Sequence, residues 1–164
     1  MNTECMFLYA LLTVYMIVYA FTDFITLKTS NKWHLSVGIV AFSYAILKGE
    51  WFISLIAVLF GLVAGLLIRR IPHNDLGYGD VKMLMVSSII LSLFRPDSSI
   101  DTLLLFVAYY LVVSFLIMTI CRAIQKRMKT AEVKFGSYRI TKSYIETPEA
   151  IPLLIVCLLL PFFI

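Results

Sequence analysis

Hydrophobic positions in this chain come in long continuous runs, without the alternation of a half-buried strand or the stripe of an amphipathic surface helix. Six runs stand out, at 6–21, 35–47, 52–68, 81–94, 103–120 and 151–164. They predict six helices and an all-α chain. A helix needs about 20 residues, with a range of about 17–25, to cross a 30 Å hydrocarbon core. The third and fifth runs meet this as they stand. The second, fourth and sixth are short, and reach the interface only by borrowing flanking residues such as Trp33, Lys82 or Ala150. Six spans is the preferred count, and five spans with one re-entrant segment is the competitor.

The polar residues between the runs are distributed unevenly. With six spans the loops alternate sides, and twelve of the fourteen Lys and Arg residues gather on one side, in 22–34, 69–82 and 121–149. The other side holds only Lys48 and Arg95. Positively charged loops stay in the cytoplasm, so the pattern predicts both termini on the non-cytoplasmic side and a multi-pass protein of the cytoplasmic (inner) membrane. Losing one span would flip everything after it. The first run is expected to be a retained span: no Lys or Arg precedes it and no small-residue cleavage pattern follows it.

Composition supports the membrane reading. Hydrophobic residues are 61% of the chain, charged residues 15%, and mean hydropathy is +0.93. A soluble domain carries about 25% charged residues. With several spans in 164 residues, one membrane domain over 1–164 is expected. The net charge of +4 sits between spans and not on a soluble face, so lipid is the expected partner and nucleic acid is not. The short loops 48–50 and 95–101 read as turns. In the long loop, 122–134 reads as a basic extension of the fifth helix onto anionic headgroups. Residues 135–140 alternate polar and apolar and predict a short strand or an interfacial segment. Cys5, Cys121 and Cys157 form no Cys-x-x-Cys pair and read as apolar packing. Gly61-x-x-x-Gly65 predicts close helix packing. Pro152 and Pro161 kink the last run or mark its ends.

Candidate chemistry centres on Leu76-Gly77-Tyr78-Gly79-Asp80-Val81-Lys82, a Gly-x-Gly-Asp segment opening the fourth run. The glycines are expected to permit positive φ and close approach of another backbone. A carboxylate between hydrophobic spans is costly and marks function. Asp23, at the end of the first run, falls on the same side. Two aspartates at one face suit an aspartyl protease, in which paired carboxyls share a proton. Two plainer readings stay open: Asp80 as a helix cap, and Asp23 as a solvated interface residue. His73 and Asp75 show no ligand spacing and read as polar loop residues.

Gly77-Tyr78-Gly79-Asp80-Val81-Lys82 resembles the Gly-x-Gly-Asp-x-Lys signature of the type IV prepilin peptidases. Asp23, followed eight residues later by Asn31, is similar to that family's first aspartate segment, although Thr29-Ser30 stands where the family has Ile-Pro. The glycine motif alone is shared with presenilin-like proteases; the spacing of both motifs and the short length favour the prepilin peptidases. The resemblance extends over the whole chain and implies removal of a basic leader from prepilins or pilin-like precursors at the cytoplasmic face. Asp23 and Asp80 are then the catalytic pair, and Gly77, Gly79, Lys82 and Asn31 shape the site, with no cofactor and no metal. Bifunctional members carry a cytoplasmic domain with paired Cys-x-x-Cys motifs. This chain has none, and so resembles the short form of tight-adherence (Flp) pilus systems, which implies cleavage without N-methylation. The alternatives are presenilin-like cleavage within a substrate helix and a small ion- or proton-coupled transporter.

Overall fold

The computed structural model describes residues 3–26, 30–70, 77–127, 132–135, 138–141 and 150–163. Each of the six apolar runs falls mainly on a helix: α1 (Thr3–Thr26), α2 (Asn31–Lys48), α3 (Trp51–Arg69), α4 (Tyr78–Ser92), α5 (Ser99–Arg127) and α6 (Ala150–Leu159), the last followed by a 3-10 turn at Leu160–Phe162. Among the described residues, three segments are long and apolar enough to cross a membrane: Thr3–Ile25, Trp51–Arg69 and Pro96–Arg127. Two short strands, β1 (Glu132–Phe135) and β2 (Tyr138–Thr141), pair antiparallel with Phe135 opposite Tyr138. Of the strand or interfacial segment expected at 135–140, Phe135 ends β1 and Tyr138–Ile140 belong to β2, and residues 136 and 137 lie outside the described residues. The expected basic extension of α5 over 122–134 is helical as far as Arg127, residues 128–131 lie outside the described residues, and Glu132–Phe135 is strand.

The short helix α4 is the centre of the bundle. Every position from Val86 to Ser92 is buried, as are Val81, Met83 and Leu84. A helix covered on all faces must be surrounded. It packs against α1, α2, α3 and α5, and Ser87 reaches Cys157 on α6. The outer helices instead expose apolar side chains, such as Val14, Ile17 and Phe21 on α1 and Leu59, Val63 and Leu67 on α3. Such apolar outer faces suit contact with lipid.

Helices α3 and α4 approach most closely at the small residues. A Cβ on Gly61 would lie 2.8 Å from the Leu84 carbonyl oxygen, and one on Gly65 would lie 3.0 Å from Val81 Cγ1. The close packing expected of Gly61 and Gly65 is therefore present, and its partner is α4. Helix α2 turns into α3 through Gly49, whose φ of 79° is left-handed. The Glu50 N–H bonds back to Ala45 O at 2.8 Å, closing the helix end.

Helices α1 and α2 run antiparallel. Glu4 pairs with Lys48 at one end, Phe7 meets Tyr44 at 5.3 Å between ring centroids, and Tyr15 stacks on Trp33 at the other end. This brings the last turns of α1, the first turn of α2, the last turn of α3 and the first turn of α4 to one end of the bundle.

Candidate active site

The geometry at that end begins with α4. Gly77 is the residue before its first turn, in extended conformation (φ −72°, ψ 160°). Gly79 lies within the first turn. Among the described residues, Gly49 is the glycine with positive φ, so neither glycine of the motif supplies a left-handed turn. Gly77 instead contributes space. A Cβ there would stand 3.1 Å from Asp80 Oδ2, tight enough to displace the carboxylate.

Asp80 occupies the third position of α4, and its Oδ2 accepts the Gly77 N–H at 2.8 Å. The plainer reading of Asp80 as a cap is therefore met in part: its side chain satisfies one orphan N–H of its own helix. Its other oxygen is engaged across the bundle. The Tyr19 hydroxyl of α1 donates to Asp80 Oδ1. Each carboxylate oxygen thus has a donor from a different element.

Tyr19 is bonded to Asp80 and lies near Asp23. It lies one helical turn before Asp23, on the same face of α1, and its hydroxyl is within electrostatic reach of both Asp80 and Asp23. Asp23 is half-buried and α1 continues beyond it to Thr26. Of the other residues expected to shape the site, Lys82 Nζ donates to Asn31 Oδ1 at 2.6 Å, linking α4 to the start of α2. The Arg69 guanidinium lies 3.7 Å from the Tyr78 ring centroid, a cation–π contact that fixes the start of α4 against the end of α3.

Deeper in the bundle an aromatic set continues from Tyr19. The Tyr15 hydroxyl is 2.7 Å from His34 Nδ1, and the His34 ring lies 5.7 Å from that of Tyr19 between centroids. The Trp33 Nε1–H donates to the Tyr15 carbonyl at 3.5 Å. Tyr15, Tyr19 and Asp23 recur every four residues on one face of α1. That spacing is the signal that could have picked out Tyr19 beside Asp23, but the residues read as part of an apolar run.

Beside these groups α2, α3 and α4 enclose a groove of about 610 Å³. Asn31, His34 and Lys82 line it, and its remaining wall is mostly apolar, including Ile39, Phe42 and Met85. Among the described residues no three His, Cys, Asp or Glu side chains gather as a metal cluster. His73, Asp75 and Thr29 lie outside the described residues. The described cysteines are all free, with Cys121 and Cys157 buried in packing. No family model, no curated protein and no solved structure matches this chain.

Chemically, the arrangement offers a carboxylate held by two donors and a second carboxyl one turn from the tyrosine that donates to it; neither aspartate lines the groove. Such a pair can pass a proton between an attacking water and a leaving group.

Proposed function

We propose that this protein is an aspartyl endopeptidase of the cytoplasmic membrane that removes the basic leader of prepilins or pilin-like precursors, without methylating the new terminus. The observation that carries the reading is the Tyr19–Asp80 hydrogen bond, because Tyr19 stands one helical turn from Asp23. The sequence resemblance supplies the substrate class. In this reading the chain crosses the bilayer six times, the short helices borrowing flanking residues, both termini face away from the cytoplasm, and the end of the bundle holding Asp23 and Asp80 faces the basic leader.

The reaction follows from paired carboxyls. One carboxylate takes a proton from water as the water oxygen attacks the scissile carbonyl carbon. The other, protonated, donates to the carbonyl oxygen. Collapse of the tetrahedral species breaks the C–N bond, and the amine leaves with a proton returned from the pair. Gly77 leaves the carboxylate unobstructed, and the Asn31–Lys82 link holds α2 and α4 in register beside it.

The test is cleavage of a tagged prepilin in proteoliposomes by the wild type and by Asp23→Asn and Asp80→Asn. Cutting by the wild type alone supports the pair. Loss in Asp80→Asn but not in Asp23→Asn means that Asp80 has another partner, with Asp75 the next to substitute. A folded wild type inert on several prepilins overturns the reading and moves an ion- or proton-site function to the front.

A further inference from the structure

At the end of α3 an apolar face runs straight into two arginines. Val63, Leu66, Leu67 and Arg70 fall at i, i+3, i+4 and i+7, which is one face of the helix. The three apolar members are exposed, and so is Arg70 beyond them. With Arg69 and Tyr78 they line a pocket of about 490 Å³. Trp51–Arg69 is long and apolar enough to cross a membrane, so the arginines come where such a segment leaves the hydrocarbon. Lipid phosphates lie at that depth.

The pocket carries positive charge without a counter-ion from the protein. Among the described residues no carboxylate pairs with either arginine. Asp80, two residues beyond Tyr78, is turned to α1, where Tyr19 donates to it. The Arg69 guanidinium lies 3.7 Å from the Tyr78 ring centroid. Its Nη1 is covered and has no hydrogen-bond partner, so that nitrogen meets no ligand directly. Its charge still acts on the pocket, because Coulomb attraction strengthens where water is excluded. Arg70, the exposed one, supplies the planar fork of N–H donors that fits a phosphate. The helix ends change little. The carbonyl end of α3 brings about −0.5 of an elementary charge and the N–H end of α4 about +0.5, and these nearly cancel.

Shape and charge together select the occupant. A free phosphate would use the arginines and not the apolar face. A zwitterionic phospholipid brings its own cation to a place that already holds two. An anionic phospholipid uses both parts. From Arg70 back to Val63 the helix rises about 10 Å, at about 1.5 Å per residue, a length that the upper part of an acyl chain covers.

We propose that this pocket binds one anionic phospholipid, its phosphate held by Arg70 with Arg69 beside it, and an acyl chain lying on the Val63–Leu66–Leu67 face. The proposal needs α3 to lie in a bilayer and does not depend on the peptidase reading. A lipid seated there also braces Tyr78, the first residue of the helix that carries Asp80.

The experiment uses the full chain in phosphatidylcholine liposomes. A trace of phosphatidylglycerol or of phosphatidylcholine is added, each bearing a photoreactive group on an acyl chain. Phosphatidylglycerol is expected to label Leu66 or Leu67 about tenfold more than phosphatidylcholine does, the scale of one charge-assisted contact. The excess is expected to vanish in Arg70→Gln and to persist in part in Arg70→Lys. Arg69→Gln also removes the stack on Tyr78, so Arg70→Gln is the cleaner variant. Phe115, exposed on α5, reports ordinary lipid contact and is expected to label equally with both.

Equal labelling of Leu66 and Leu67 by the two lipids overturns the proposal, and this comparison on the wild type decides even if a variant fails to fold. An excess that survives in Arg70→Gln overturns it too. So does an excess as large at Phe115, which would be general enrichment of anionic lipid around the bundle. Full displacement by millimolar glycerophosphate would make the occupant a free phosphate, and cross-links from this face to a second copy of the chain would make it a protein interface; either result overturns the proposal.

Discussion

The hydroxyl of Tyr19 and the carboxylate of Asp80 join the outer helix α1 to the central helix α4. The Gly77 N–H holds the other oxygen of the same carboxylate. Asp80 is thereby fixed in rotation by one donor from its own helix and one from a neighbour. In the proposed peptidase, that orients a group which would hand a proton in a defined direction.

Removing the Tyr19 hydroxyl tests this directly. Tyr19→Phe keeps the ring in its buried place and deletes one donor to the carboxylate. Cleavage by Tyr19→Phe is expected to fall about tenfold, consistent with one hydrogen bond to a charged group, and to remain above that of Asp80→Asn. Turnover in proteoliposomes reads the difference. An activity equal to wild type would mean that Asp80 is held well enough by Gly77 alone.

Gly77→Ala separates space from backbone conformation. The φ of −72° at this residue suits alanine, so little strain is expected in the chain. The added Cβ would stand 3.1 Å from Asp80 Oδ2. Lower kcat with an unchanged melting temperature in detergent is the expected outcome. A large fall in melting temperature would instead assign Gly77 to folding.

Gly61→Ala is expected to act on stability. The new methyl would meet the Leu84 carbonyl oxygen and Met85 Cα, each at 2.8 Å, and backbone atoms cannot step aside. A loss of about 1–3 kcal/mol is expected, as for other overpacked cores, read by thermal or denaturant unfolding in micelles. Gly38→Ala, with its nearest contact at 3.6 Å, is the matched control and is expected to be silent.

The Glu4–Lys48 pair lies at the opposite end of the bundle. Its hydrogen bond to Glu4 holds the Lys48 ammonium above the ordinary lysine value of 10.5. Because the folded value is the higher one, any stability from the pair is fully present below the unfolded value. It fades as pH rises through the folded value. Both groups are solvent-exposed, and exposed pairs contribute little. Glu4→Gln is therefore expected to leave the melting temperature near neutral pH unchanged, with any difference from wild type vanishing in strongly alkaline buffer.

Much of the fold was legible in the pattern of hydrophobic residues because runs of this length have few alternatives to helix. All six runs fall mainly on helices, and Gly61 and Gly65 mark a close contact. The arrangement was not legible. Run 81–94 reads as a short span that reaches the interface only by borrowing flanking residues such as Lys82. It is the central helix, and hydropathy does not distinguish cover by protein from cover by lipid. Asp80 stood out because a carboxylate beside apolar residues is conspicuous. Tyr19 and His34 did not, because a tyrosine in an apolar run reads as packing and a single histidine has no pattern. Only their partners across the bundle reveal them. The positive φ expected in the Gly-x-Gly motif was also misplaced: the helix begins at Tyr78, so Gly79 is already helical.

The central position of α4 has a consequence for how the protein is made. At 15 residues and about 1.5 Å of rise per residue, the helix is shorter than the hydrocarbon layer and carries serines at 87, 88 and 92. It is a poor candidate for partitioning into lipid by itself. Its stable place exists once α3 is present to offer the shallow surface at Gly61 and Gly65. The fourth segment is thus expected to enter the bilayer as a passenger of the third. A defect in α3 packing would then appear first as a biogenesis failure: a shortfall of inserted, protease-resistant chain in the membrane, ahead of any loss of activity per molecule.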